Sequence, residues 1–587
     1  MPAQDLTTPG GLLLVLAVLV PFAGMLAGLA LGGRNAQRVA LATMPAGLGI
    51  AVAIAGALSG AGGELVYLLG NWAPPLGVAL RADAASAVML VAVAVVISGI
   101  AVYACGDFST PRSAREARAP LTFWILLLAV WGSLNLVLVG GDLFTLYVAL
   151  ELLTFAAVPL VCLDGRGETL QSALRYLLFA LLGSMFYLLG AVLLYGSYGT
   201  LDIALLAARL RPEAVPFAAA ALMTAGLLAK TALFPLHIWL PPAHAGAPAA
   251  ASAVLSALVI KGSWFLVVRL WLKAMPSLAG LASMQVLAGL GAAAIVLGSI
   301  VALRQERLKL LIAFSTLAQI GYLFLMFPLA FDPASAQPVA GNALAGGIMQ
   351  AVSHATAKAA MFMAAGSIYA ALGHDRLEGL TGIGRAMPVS MLAFALSGLA
   401  LVGLPPSGAY LAKELLLEAA AQSAQWWWTI VIQAGGMLTA SYVLLVLAHA
   451  FTLGERSTAR VSRAARIGEM AALTLAACSL LLGLLPWDAW LPPARPALSL
   501  PLSLEALSKG LWPLVAGALL AIWLGRWGHP APFGKAIVAR LGAARRAGLA
   551  VGKLIERIDC RLRQWPAASV SLLVVAMLLG AAVMVAR

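Results

Sequence analysis

The chain has 587 residues, 62% of them hydrophobic and 10% charged, with a net charge of +14 and a mean hydropathy of +0.97. Such a composition excludes a water-soluble protein, because too little polar surface exists to cover an apolar core of that size. The positive charge is dispersed among loops, not gathered in one patch, and so sets nucleic acid aside as a partner.

Apolar runs long enough to cross a bilayer as helices follow one another along the chain. They fall near 12–31, 39–58, 84–104, 120–139, 143–163, 172–196, 216–240, 249–272, 282–303, 309–330, 343–372, 388–421, 428–453, 467–485, 509–527 and 567–586. None alternates with the two-residue period of a membrane β-barrel strand. The expected fold is an all-α polytopic membrane protein of about sixteen spans. The stretch before the first run, Met1 to Gly11, has no Lys or Arg, so it lacks the basic start of a signal peptide, and the first run is read as a retained helix. The runs at 216–240 and 388–421 contain Pro235 and Pro405-Pro406 and are expected to be broken.

The basic residues sort by loop. One set of alternate loops holds Arg34, Arg38, Arg112, Arg115, Arg118, Arg166, Arg175, Arg304, Arg307, Lys309, Arg376, Arg385, Arg456, Arg460, Arg463, Arg466 and a basic tail from Arg526 to Arg563. The other set holds Arg81, Arg209, Arg211, Arg269, Lys273, Arg495 and Lys509. The excess marks the cytoplasmic side and puts both termini outside. Cys105, Cys162, Cys478 and Cys560 are far apart with no CxxC, so no cysteine-ligated metal or cofactor is expected. "AGLLAKT" is set aside as a phosphate loop because Ala229 stands where the second glycine is needed.

After this sorting, Lys230, Lys261, Lys358 and Lys413 remain inside apolar segments. Left unpaired, they would cost on the order of 10–14 kcal/mol. Glu151 is the clear acidic exception, in "DLFTLYVALELLTFAAVPLV"; His354 and His449 also lie inside, and His237 and His244 follow Lys230. A row of ionisable groups at membrane depth points to a proton or ion path. Lysine suits it, since desolvation favours proton release and a nearby carboxylate favours retention. Lys230 and His237 are seven apart and share a face if the helix stays regular; His354 and Lys358 share one at i, i+4. An interrupted segment with Lys230 is echoed by another with Lys413, as in a transporter built from repeats.

Each group has a structural alternative. Lys230 is otherwise a snorkelling residue, Lys261 and Lys358 plain packing or backbone partners, and Lys413 half of an ion pair with its neighbour Glu414. Glu151 is otherwise a fixed counter-ion. For His237 and His449 the alternative is packing, and for His244 a loop at a helix end.

The stretch "LLAKTALFPLHIWLPPAHAGAPAAASAVLSALVIKGSWFLVVR" (227–269), with Glu151 in its own helix, "SHATAKAAMF" and "GLPPSGAYLAKELLL", closely resembles the antiporter-like membrane subunits of respiratory complex I, of Mrp-type cation/proton antiporters and of membrane-bound hydrogenases. The resemblance covers roughly residues 10–490. It implies about fourteen core helices with two inverted five-helix repeats, each with a broken helix. On that pattern residues 1–119 are N-terminal helices, 120–275 and 276–453 the repeats, 454–490 the last core helix and 491–587 an extension. It further implies that Glu151 pairs with Lys230, and that Lys261, His354, Lys358 and Lys413 continue a polar axis. Read from the residues alone, His237 and His449 are further candidates for the proton path, with packing the preferred reading for His449. His244 matches a histidine frequent in the family. Gln350 stands where some long relatives have a second histidine, which puts a direct titrating relay there in doubt.

The tail "FGKAIVARLGAARRAGLAVGKLIERIDCRLRQW" (533–565) is basic and amphipathic. It resembles a shorter form of the lateral helix of the longest complex I and hydrogenase-type subunits, followed by a terminal anchor; a surface helix on anionic lipid is compatible with this. The resemblance implies a proton-translocating subunit in a bacterial cytoplasmic membrane, with no redox site of its own. Its partners would be other integral membrane subunits, H⁺ with Na⁺ or K⁺, the lipid bilayer and, in a redox-driven complex of the NADH:quinone oxidoreductase type, peripheral redox subunits. The alternative is a membrane anchor and proton-coupling subunit of another enzyme complex, such as one for inorganic-carbon uptake.

Overall fold

The structure, a computed structural model, describes residues 7–60, 63–111, 114, 116–332, 335, 337–339, 341–452, 463–487, 490–491, 503–524 and 542–585. Arg112, Arg115, Arg456, Arg460, Arg495, Arg526, Lys535 and Arg540 of the charge pattern, and residues 533–541 of the amphipathic tail, lie outside the described residues.

The fold is a helical membrane bundle with two short hairpin ladders at its edges, Leu65–Leu68 with Ala79–Ala82 and Phe331–Asp332 with Gln337–Pro338. Its helices are α1 (Leu12–Leu31), α2 (Gly33–Gly60), α3 (Ala84–Asp107), α4 (Arg118–Val139), α5 (Leu143–Val161), α6 (Gly167–Tyr198), the short α7 (Ile203–Arg209), α8 (Ala214–Thr231), α9 (Leu240–Gly246) and α10 (Ala249–Ala274). Then come α11 (Leu281–Arg304), α12 (Leu308–Leu329), α13 (Asn342–Leu372), α14 (Pro388–Val402), α15 (Gly408–Gln422), α16 (Trp426–Phe451), α17 (Arg463–Leu481), α18 (Leu504–Trp523), α19 (Gly542–Leu562) and α20 (Trp565–Val585). Among the described residues fifteen helices are long and apolar enough to cross a membrane. The sixteenth expected span, 388–421, is the pair α14 and α15, each too short alone. All sixteen sequence runs therefore have a counterpart, and the chain is an integral membrane protein.

Two runs of five members stand out in chain order. In the first, α4, α5, α6, the pair α8–α9 and α10, the fourth member is broken. In the second, α11, α12, α13, the pair α14–α15 and α16, the fourth member is again broken. Both breaks have the same local cause. Ala232 and Gly403 take left-handed conformations, with φ of 57° and 93°. Their amides bond back to Ala229 and Ala400, and the next amides, of Leu233 and Leu404, reach Leu228 and Leu399. This is the Schellman closure, which satisfies the last carbonyls of a helix. A proline follows shortly after in each case, Pro235 and Pro405-Pro406, so neither helix resumes. The indole of Trp239 then closes the first break, donating to the Ala229 carbonyl at 3.0 Å while stacking on Tyr176 at 4.1 Å.

The core lies around α10, α12 and most of α13, whose residues are almost wholly buried. Leu26, Leu178, Met185, Leu189 and Val192 on the outer helices are exposed and face where lipid would lie. α5, which carries Glu151, starts at a defined point because Asp142 caps it, its carboxylate accepting from the amides of Phe144 and Thr145, both at 2.9 Å. Asp142→Ala is expected to cost about 1 kcal/mol, read as a lower thermal unfolding temperature of the purified protein; an unchanged temperature would show that the cap is dispensable.

Candidate functional site

Glu151 and Lys230 meet. The Lys230 ammonium donates to Glu151 Oε1 at 3.1 Å and to Thr154 Oγ1 at 2.7 Å. Thr154 lies three residues after Glu151, on the same face of α5. The Ser184 hydroxyl of α6 donates to the same carboxylate. The pair is nearly dry, with the lysine side chain 6% and the glutamate side chain 14% exposed. α6 and α8 come this close because Gly183 faces the backbone of Gly226. Lys230 is the penultimate residue of α8, so its charge also faces the negative end of that helix.

The expected break falls after Thr231, so the condition for a shared face is not met. Lys230 and His237 do not share a helix face, because the Schellman closure at Ala232 stops α8 before a second turn can align them. His237 sits in the non-helical bridge before α9, fully buried, and its Nε2 lies 2.8 Å from Asp559 Oδ1.

Lys413 is placed by the second break in the same chemical way. Its ammonium reaches across from α15 to donate to the carbonyl of Val402, the last residue of α14, at 2.6 Å. The carbonyls at a helix end lack partners within the helix and attract a cation. Lys413 also lies 5.2 Å from the centre of the Tyr322 ring. The ion pair with Glu414 does not form; Glu414 accepts instead from Lys509 of α18 at 3.3 Å.

Between these ends lie three separate clusters of hydrogen-bonded groups. Thr231, beside Lys230, bonds Ser263 of α10 at 3.1 Å. Lys261, 2% exposed, donates to the Ser256 carbonyl at 2.6 Å. That carbonyl is turned toward it in a π turn, Leu255–Val259, of the kind often found at functional sites. The Ser256 hydroxyl meets Thr316 of α12 at 2.9 Å, and Thr316 donates to the Ile312 carbonyl. Lys358 of α13 donates to that same carbonyl at 3.3 Å and to the Ser315 hydroxyl. One turn on, Gln319 accepts from Gln350 at 3.0 Å and donates to Thr439 of α16 at 3.1 Å. Tyr322, the next group along α12, ends under Lys413.

His354 is fully buried one turn before Lys358, and among the described residues its ring nitrogens have no hydrogen-bond partner. His244 is buried in α9, not in a loop, and stacks on Phe362 at 4.8 Å. His449 is half-buried near the end of α16 and bonds its own helix at the Leu445 carbonyl, 2.9 Å away. Among the described residues that bond joins it to no other member of the row.

Sequence reasoning missed the uncharged links Thr154, Ser184, Ser256, Ser315, Thr316, Gln319, Tyr322 and Thr439. A signal existed for three of them: Ser315, Gln319 and Tyr322 recur at i, i+4, i+7 in "LIAFSTLAQIGYLF", one polar stripe on an otherwise apolar span. It also missed Asp559, one carboxylate in a tail read as a basic amphipathic helix of the lateral type.

On the side assigned to the cytoplasm a cavity of about 490 Å³ opens beneath α9, lined by Asp107, Asp164, Arg166, Thr169, Arg307 and Lys309 among others. The loop carboxyl of Asp164 is held below its usual range: partial burial alone would raise it, and the bonds from Thr169 and Arg166 outweigh that.

Fold and site define a class: integral membrane proteins in which two broken helices present lysines to a buried, hydrogen-bonded polar row, the architecture of ion-translocating subunits. The chain belongs to the NADH:quinone oxidoreductase/Mrp antiporter transmembrane family, whose model matches residues 140–439. It is 34% identical over 395 residues to the NADH-quinone oxidoreductase subunit N of Desulforudis audaxviator, covering 66% of this chain and 75% of that one. It is 28% identical over 401 residues to the D-type subunit of the Na(+)/H(+) antiporter of Alkalihalophilus pseudofirmus, covering 68% and 78%. Its fold is similar to a chain in the structure of the Mrp complex from Dietzia sp., with a TM-score of 0.71 at 25% identity over 87% of this chain and 97% of that one.

Proposed function

We propose that this chain is a proton-translocating, antiporter-like subunit of a multisubunit membrane complex, and that H⁺ moves along the axis from Glu151 and Lys230 through Lys261 and Lys358 to Lys413. The observation that carries the reading is the Glu151–Lys230 contact at a helix end in mid-bundle. Paired, the carboxylate holds the ammonium charged. When the two separate, a desolvated ammonium without its counter-ion yields a proton to the next group. Hydroxyl and amide groups between the lysines relay hydrogen bonds without holding charge. Gln350, bonded to Gln319, fits that relay role, and His354 beside Lys358 is the group there that can hold a proton.

The two five-member runs correspond on this reading to inverted repeats, 120–275 and 276–453, with both termini outside. Support comes from the identical closure of the two breaks and from the loop charges. The partners are other integral membrane subunits, as the names of the relatives suggest, with Na⁺ or K⁺ as the exchanged cation if the complex is an antiporter.

Purification of the tagged chain from its native membrane, with its partners identified by mass spectrometry, separates the driving forces. Co-purifying Fe–S, nickel or quinone-site subunits make it a redox-driven pump. Hydrophobic partners alone, with Na⁺- or K⁺-dependent proton flux in vesicles, make it a secondary antiporter. Failure of the purified assembly to move protons under either drive would refute the proposal and favour a membrane anchor.

A further inference from the structure

α19 exposes cationic and apolar residues alike, with Lys553, Arg557 and Arg561 outward. Its apolar residues Val551, Leu554 and Ile558 are 53%, 55% and 42% exposed, while Asp559 has no exposure at all. An outward apolar face suits lipid. A buried carboxylate is unfavourable unless paired and hydrogen-bonded, and Asp559 has both. Its Oδ2 accepts from Arg563 Nε at 2.9 Å, and its Oδ1 lies 2.8 Å from His237 Nε2. Residues 322 positions apart are thus joined inside the bundle.

The surroundings fix the two groups. Glu556, one turn earlier on α19, accepts from Arg304 at the end of α11 at 2.7 Å. The Arg563 guanidinium lies 5.6 Å from the Phe314 ring on α12, next to Ser315 of the polar row. His237 belongs to the bridge that ends α8 just after Lys230. Its other nitrogen, Nδ1, is buried with no hydrogen-bond partner among the described residues.

We propose that Asp559 is a positioning residue of the proton path, acting through His237. With Arg563 satisfying one carboxylate oxygen, the other accepts the Nε2–H of the imidazole. That bond fixes the tautomer and leaves Nδ1 as the atom that gains and loses a proton. Protonation at Nδ1 gives an imidazolium beside a carboxylate; release from Nδ1 restores the neutral ring, with the Nε2–H···Oδ1 bond intact in both states. The C-terminal helix thereby controls a proton-holding group at the break that also positions Lys230. The inference rests on the proton-path reading of the axis.

The test uses the intact complex in proteoliposomes with a pH-sensitive dye inside. His237→Gln keeps an N–H for Asp559 and so keeps the link between α19 and the bridge, but cannot titrate. Asp559→Asn keeps a carbonyl acceptor and removes the counter-charge. Each is expected to lower proton flux about tenfold or more, with the complex recovered in normal yield, and the double variant should be no worse than either. Asp559→Glu should recover most of the flux. Wild-type flux in His237→Gln would overturn the proposal, since a purely structural link survives that change. If Asp559→Asn fails to assemble, His237→Gln still decides. Lys230→Ala, run alongside, separates the two failures: wild-type flux there refutes the path itself, whereas loss there with normal flux in His237→Gln refutes only the role of His237 and Asp559.

Discussion

Lys230→Ala and Glu151→Gln should each reduce proton flux by at least about 100-fold while the complex still assembles. The reasoning is differential. In the ground state the pair holds one charge against the other in a nearly dry site, 6% and 14% exposed. Removing one partner of such a pair typically costs about 3–5 kcal/mol, which would threaten folding if the remaining charge were stranded. Here each remaining group keeps a hydrogen-bond partner and can shed its uncompensated charge by taking up or giving up a proton. Without Lys230, Glu151 still accepts from Ser184; with Gln at 151, Lys230 still donates to Thr154. Assembly is therefore spared and the loss falls on transport. Because both residues act in one step, the double variant should lose little beyond either single change. Dye-monitored flux in vesicles, normalised to recovered complex, checks this. Normal flux in an assembled single variant would end the mechanism, and strictly additive losses would show that the two residues act in separate steps.

The sequence made the spans and the charged groups legible for different physical reasons. Membrane helices must satisfy their backbone internally, so apolar length alone marks them, and every expected run has its helix. The two breaks were visible as Pro235 and Pro405-Pro406, but their form was not. Nothing about Ala232 marks it as a left-handed residue, and that conformation is what separates Lys230 from His237. Lysines inside apolar runs are conspicuous because they are costly. Ser315, Gln319 and Tyr322 are not, since hydroxyl and amide groups are cheap to bury once bonded, so the links between the lysines stayed hidden in a span that reads as simply hydrophobic. Asp559 was missed for a third reason. Counting charge by loop treats a basic segment as facing water, and one carboxylate among arginines does not alter the count.

Arg269 shows the same limit of loop counting and carries the second large prediction. The charge pattern places it in an external loop, whereas it lies within α10 at 9% exposure. Its guanidinium donates to the carbonyls of Arg81 at 3.1 Å, Leu138 at 2.8 Å and Gly140, and to the Ser86 hydroxyl at 3.1 Å, with the Phe265 ring 5.4 Å away. It thus ties the end of α10 to the Ala79–Ala82 strand, the start of α3, and the turn between α4 and α5. That turn leads directly into Asp142 and the helix of Glu151. Leucine at 269 would leave those buried carbonyls without a donor at about 1–3 kcal/mol each, less whatever water can recover. A net loss of roughly 3–5 kcal/mol is expected, large against the usual margin of stability. Arg269→Leu should therefore lower the yield of assembled complex and its melting temperature in detergent, not the flux per assembled molecule. Arg269→Lys should fall between, since an ammonium cannot reproduce the planar fork that serves several acceptors at once. Fluorescence-detected size exclusion after a heating series measures both variants. An unchanged melting temperature in Arg269→Leu would mean that the turn before α5 is held by other contacts.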